Sequence, residues 1–231
     1  MNSKMNITFL GHASLHMEIA GKHIIVDPFI SANELAKDVA IDNLKADYIL
    51  VTHGHQDHVL DVERIAKNNP NALIVSNYEI VEWFGKKGLN GHPLNHGGKK
   101  DFEFGTLKYV NAIHSSVLPD GAYGGNPGGF VIEAEGKIVY IAGDTALTYD
   151  MKLIPQIIGK VDLAILPIGD NFTMGYEDAA IAADFIACDT VLGCHYDTFP
   201  PIAIDKVVAQ AHFEKKGRRL LLPDIGETIT L

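Results

Sequence analysis

Apolar positions along the chain follow two periods. Short β-branched or apolar runs read as strands: Ile7–Leu10, Leu15–Ile19, His23–Val26, Tyr48–Val51, Leu73–Val75, Leu107–Ile113, Phe130–Ala134, Lys137–Ile141, Leu163–Leu166 and Thr190–Leu192. Helical spacing appears over Val59–Lys67, Glu79–Lys86, Tyr149–Ile158, Glu177–Ile186 and Asp205–Lys215, and the last stretch stops at Gly217 as a helix C-terminus does. No low-complexity linker interrupts the pattern, so residues 1–231 read as one domain. The long irregular segment is Pro119–Gly129, rich in glycine and proline, and such loops often cover a site.

The chain also resembles itself at an offset of 115 residues. Glu18, Gly21 and Lys22 recur as Glu133, Gly136 and Lys137 around a hairpin turn, and Asp47 and Gly54 recur as Asp162 and Gly169 on either side of an apolar strand. Common turn chemistry alone would also place glycine in both hairpins. Taken as a repeat, the identities predict an α/β (α+β) fold of two similar halves. Each is a sheet with helices on one face, and the two stack sheet to sheet as a four-layer αββα sandwich.

Composition narrows the setting. A 231-residue chain with 47% hydrophobic residues can bury a continuous core unaided. Two cysteines, Cys188 and Cys194, are too few for a disulfide framework and predict free thiols in a reducing compartment. No charged-then-apolar leader opens the chain and no apolar run approaches the roughly 18 residues that cross a bilayer, so a cytoplasmic location without membrane contact is expected. The net charge of -10 disfavours nucleic acid as a partner.

The chemistry concentrates where the run Tyr48–Val51 ends, in Thr52-His53-Gly54-His55-Gln56-Asp57-His58. On a turn, His53 and His55 can converge on one cation while Asp57 and His58, entering a helix, point towards a second. Gly54 lets the backbone bend between them. Imidazole and carboxylate donors suit zinc first, with manganese, iron or nickel compatible.

This run resembles the H-x-H-x-D-H signature of the metallo-β-lactamase superfamily, whose remaining ligands follow downstream at strand ends. His114 in Ile113-His114-Ser115-Ser116, Asp144 in Ala142-Gly143-Asp144-Thr145 and His195 in Cys194-His195-Tyr196-Asp197 occupy such places. Gly11-His12-Ala13-Ser14, Pro167-Ile168-Gly169-Asp170-Asn171-Phe172-Thr173-Met174-Gly175 and His195-Tyr196-Asp197-Thr198-Phe199-Pro200-Pro201 are similar to a prokaryotic family of uncharacterised metal-dependent hydrolases related to L-ascorbate-6-phosphate lactonases. The resemblance covers essentially the whole chain. It implies two divalent metal ions per chain, one on His53, His55 and His114, the other on Asp57, His58 and His195, with Asp144 between them. It also implies that Asp27 lies behind the turn and accepts from a ligand imidazole or a loop amide. A homo-oligomer is compatible with it.

Such a centre is expected to work through a metal-bridging hydroxide on a small-molecule substrate with an ester-like, lactone, amide or phosphodiester bond. Asp57 is the candidate proton carrier. His12, after Gly11 in the first turn, is a candidate to face the cleft and contact substrate or supply a proton. Asn171 and Thr173, with Met174, sit where the second half matches the metal loop and read as a substrate wall. Tyr196 and Thr198 read as neutral hydrogen-bond donors. His16, His23, His92, His96 and His212 read as surface or core positions. His55 argues against the redox di-iron members, which carry a carboxylate there, and the compact acidic chain argues against a nuclease. The alternative is a non-catalytic metal or ligand-binding protein that keeps the fold.

Overall fold

Each apolar run of the sequence overlaps a strand of the computed structural model, which describes residues 4–231. The first sheet takes β1 (Asn6–Gly11), β2 (Ser14–Ile19), β3 (Lys22–Val26), β4 (Tyr48–Leu50), β5 (Leu73–Ser76) and β6 (Gly91–Pro93). The second takes β7 (Lys99–Phe102), β8 (Gly105–Asn111), β9 (Gly128–Ala134), β10 (Lys137–Ile141), β11 (Leu163–Pro167), β12 (Thr190–Cys194) and β13 (Arg219–Leu221). The chain then returns, and β14 (Thr228–Thr230) completes the first sheet beside β1.

Strand order shows one plan used twice. The first sheet runs β14-β1-β2-β3-β4-β5-β6 and the second β7-β8-β9-β10-β11-β12-β13. In each, four antiparallel strands pass into parallel ones at the fourth pairing, β3 with β4 and β10 with β11. The register agrees residue by residue at the sequence offset: Glu18 pairs His23 as Glu133 pairs Ile138, and Ile24 pairs Tyr48 as Val139 pairs Leu163. Both hairpins turn through two left-handed residues, Ala20 and Gly21 in one and Glu135 and Gly136 in the other, the geometry that matches strand twist.

Alternation along the strands builds the core. Ile7, Leu15, Met17 and Ile24 of the first sheet meet Tyr109, Phe130, Ile132 and Tyr140 of the second, all fully buried. On the outer face of the first sheet, Ile25, Ile49 and Ile74 pack under α2 (Val62–Asn68) and α3 (Tyr78–Gly85). On the outer face of the second, α5 (Tyr176–Ile186) lies on β11 and α6 (Lys206–Lys215) on β13, with α4 (Leu153–Ile157) beside α5. The buried face of α5 is Ala179, Ala180, Ala182 and Ala183, small enough for close approach to the sheet. The result is an α/β sandwich of two mixed sheets flanked by helices.

Three boundaries differ from the sequence reading. The stretch Val59–Lys67 is broken between α1 (Gln56–Val59) and α2, because the Asp61 carboxylate turns to accept the amides of Ile30 and Ser31 at 2.7 and 2.8 Å. The stretch Tyr149–Ile158 begins with a 3-10 turn before α4, and β8 ends at Asn111, leaving Ile113 and His114 in extended loop. Among the described residues no helix is long and apolar enough to cross a membrane.

Candidate metal centre

The histidine turn is held from behind by one carboxylate. Asp27, left-handed at the end of β3 (φ 41°), accepts the Thr52 amide at 2.8 Å on Oδ1 and the Thr52 hydroxyl at 2.6 Å on Oδ2. The same Oδ2 lies 3.0 Å from His58 Nδ1, so His58 turns its Nε2 inward. From the other side, the Ser116 hydroxyl accepts the Gly54 amide at 3.0 Å. Gly54 has an ordinary φ; what it needs is space, since a Cβ there would meet Leu118 at 3.2 Å. The Pro119–Gly129 segment packs behind this turn, fixed by Asn77 Nδ2 donating to the Gly124 carbonyl, and contributes nothing to the cleft wall. His55 stands at the N-cap of α1, so Asp57 and His58 fall in its first turn.

All seven residues singled out as ligands come together on this rim. His53 Nε2 lies 3.0 Å from His55 Nδ1, and with His114 they offer donor atoms within 4.8 Å of one another. Asp57 Oδ2 lies 3.9 Å from His58 Nε2 and 3.7 Å from His195 Nε2. Asp144 Oδ2 reaches both sets, 3.9 Å from His53 Nε2, 3.6 Å from His114 Nε2, 3.3 Å from His58 Nε2 and 3.1 Å from His195 Nε2.

The donor chemistry fits divalent cations. His58 Nε2, His195 Nε2 and Asp144 Oδ1 are buried without a hydrogen-bond partner among the described residues, a cost that a cation at these atoms removes. The electrostatics point the same way. Burial works against a charged His58, but the Asp144 and Asp27 carboxylates outweigh it and hold its pKa well above the usual value. For His195 burial is again outweighed, chiefly by Asp144, and the pKa rises to about 9. His53, buried beside His58, is held well below the usual value. The carboxylates thus favour the charged form of His58 and His195 in the metal-free protein, so a cation at the same nitrogens would compete with protons.

Five other residues lie elsewhere than the sequence suggested. The His12 side chain is fully buried and does not face the cleft: Nε2 lies 3.1 Å from Asp57 Oδ2 and Nδ1 2.9 Å from Thr198 Oγ1. Tyr196 is buried against Phe9, with ring centroids 6.2 Å apart, and is absent from the cleft lining. Asn171 and Thr173 also miss the lining, as does Met174, which is buried. The cause is backbone: Asp170 and Asn171 are both left-handed, and a Gly169–Gly175 bridge closes the loop, which carries Phe172 to the front instead. The cleft of about 450 Å³ is walled by Phe172, Phe199, Pro201 and Ser115 around His55, Asp57, His114, Asp144 and His195. Aromatic positions next to the expected polar ones were the available signal.

A family model described as the β-lactamase superfamily domain matches residues 6–195. The chain belongs to the metallo-β-lactamase superfamily. Within it, this metallo-β-lactamase superfamily protein is 65% identical over 227 residues to a metal-dependent hydrolase of Flavobacterium johnsoniae, covering 98% of this chain and 100% of that one. It is 47% identical over 232 residues to a metal-dependent hydrolase of Bacillus subtilis, with the same coverage. The structure of Igni18, a metallo hydrolase of Ignicoccus hospitalis, matches with a TM-score of 0.89 at 33% identity over 99% of this chain and 98% of that one. The superfamily member described here therefore sits in a family of metal-dependent hydrolases.

Proposed function

We propose that the chain is a dinuclear hydrolase of small, uncharged acyl substrates, of ester, lactone or amide type. His53, His55 and His114 would hold one divalent cation, Asp57, His58 and His195 the second, and Asp144 would serve both, with zinc the first candidate. The observation that carries this reading is Asp144 Oδ2, which stands within 4 Å of imidazole nitrogens from both sets. When bound, such a pair supplies a water acidified to near neutrality and polarises the scissile oxygen.

The chain's own residues do the rest. Asp57 is part-exposed to the cleft and can carry a proton from the attacking water to the leaving group. His12 orients it. Burial lowers the His12 pKa to about 4, so its ring is neutral at pH 7 and has one N–H to give. Only the tautomer with that proton on Nε2 avoids setting a lone pair against the Asp57 carboxylate, and Nδ1 then accepts from the Thr198 hydroxyl. Phe172, Phe199 and Pro201 offer an apolar wall, and among the described residues no lysine or arginine lines the cleft, which favours a neutral acyl group over a phosphodiester. Free, buried Cys188 and Cys194 accord with a cytoplasmic setting, and the negative net charge with a small-molecule partner instead of nucleic acid.

The test is hydrolysis of a chromogenic ester and a chromogenic phosphodiester with added zinc or manganese, in wild type and His55→Ala. Ester turnover that is lost in the folded variant supports the proposal. An inert wild type across both metals overturns it in favour of a binding protein.

A further inference from the structure

Away from the cleft, the outer face of the first sheet carries a second group of ligand-type side chains. His16 and Glu18 alternate on β2 and so share a face, while His23 on β3 is the direct partner of Glu18 and the diagonal neighbour of His16. The two imidazoles stack with centroids 5.2 Å apart, and His16 Nε2 faces His23 Nδ1 at 3.1 Å. Glu18 Oε1 lies 3.8 Å from the same His23 nitrogen. The three donor atoms all fall within 4.8 Å of one another, and the group is open to solvent, with 26% of the His23 and 51% of the Glu18 side chain exposed.

The hairpin itself does not require histidines. Its counterpart in the second half has the same register and the same left-handed turn, with Val131, Glu133 and Ile138 at the corresponding places. β-Branched residues satisfy the strand geometry there, as they do in sheets generally. Two imidazoles facing nitrogen to nitrogen need a proton or a cation between them. With zinc–nitrogen bonds of about 2.1 Å, nitrogens at this separation can share one ion at an angle of about 95°. Glu18 also stands within twice that bond length. The His53–His55 pair of the cleft has nearly the same spacing, 3.0 Å.

The geometry points to a cation site distinct from the cleft, in which His16, Glu18 and His23 hold one divalent transition ion of the zinc or copper type and water completes the coordination. Burial, together with the neighbouring His23, lowers the pKa of His16 and keeps its ring available as a neutral donor. The carboxylate of Glu18 supplies the charge. An ion there clamps β2 to β3 on the outer face of the sheet, clear of the cleft.

Wild type and the His16→Gln/His23→Gln double variant are dialysed against the same zinc buffer, and bound metal per chain is counted by elemental mass spectrometry. The variant should retain one equivalent fewer, with an unchanged circular dichroism spectrum and unchanged turnover of the chromogenic substrate. Equal counts overturn the site. Because the difference carries the result and not the total, the outcome is independent of how many ions the cleft holds. Should the variant not fold, zinc titration of the ¹⁵N-histidine-labelled wild type gives the same reading. His16 Nε2 and His23 Nδ1 should move to ligated positions, and signals that report only a shared proton overturn the site.

Discussion

The two halves share a backbone and differ in what they place on it. In the first, the Asp47 carboxylate accepts the His23 amide at 2.8 Å; in the second, Asp162 accepts the Ile138 amide at 2.9 Å. The amide of Asp27 donates to Leu50 and that of Ala142 to Ile165, each at 3.0 Å. Both turns need glycine for close approach, Gly54 against Leu118 and Gly169 against the His195 carbonyl, where a Cβ would stand 2.1 Å from the oxygen. Yet the first turn carries buried His53 and the second buried Ile168. Strand ends of one shape thus accept either a donor or a core residue, and the candidate centre draws on the specialised turn of one half and on His114, Asp144 and His195 of the other.

The comparison breaks most sharply at that corresponding pair. Ile168→Ala removes a fully buried side chain and should cost about 2–5 kcal/mol in denaturant unfolding with zinc content unchanged. His53→Ala should do the opposite, keeping the fold while zinc content falls and kcat/KM drops by more than about 100-fold. Equal effects of the two on metal content would mean that the halves are not specialised. Next in size, Asp27→Asn weakens the acceptor for Thr52 and His58 and should lower zinc affinity about 10–100-fold in competition with a chelator. Ala142 at the matching place has no such role.

Acidity sharpens the same contrast. With the His195 pKa raised to about 9, its nitrogen is protonated at neutral pH and the ion must displace that proton. Zinc affinity should therefore rise with pH through the neutral range, about tenfold per unit for each proton displaced. A flat profile at neutral pH, measured by calorimetry in buffers of different ionisation heat, would show that no proton is released. The smallest effect is expected at the wall: Phe172→Ala should raise KM for an ester no more than about tenfold while metal content stays constant, since the ring is 53% exposed before substrate arrives.

The sequence showed the buried parts of this architecture and missed its edges. The inner strands announced themselves because alternate residues such as Leu15, Met17 and Ile19 are fully buried. β6, β7 and β14 lack a buried residue, and β13 buries only Leu220, so their polar faces carry no two-residue period to read. The donor set was legible for a different reason: histidine and aspartate at strand ends are chemically distinctive whatever the backbone does. Wall residues are not. Whether Asn171 or Phe172 meets the cleft depends on left-handed Asp170 and Asn171, and whether Tyr196 does depends on left-handed His195 and Asp197, conformations that non-glycine residues adopt without any signature in polarity. The place of His12 was illegible because its partners, Asp57 and Thr198, come from distant parts of the chain.

One bond in the centre reaches further than its length. The His195 amide donates to the His12 carbonyl at 2.8 Å, joining the tip of β12 in one sheet to the tip of β1 in the other, immediately behind the donor atoms. The seam between the two layers is stitched shut at the spot where exchange must happen. The donor atoms open instead to the cleft walled by Phe172, Phe199 and Pro201.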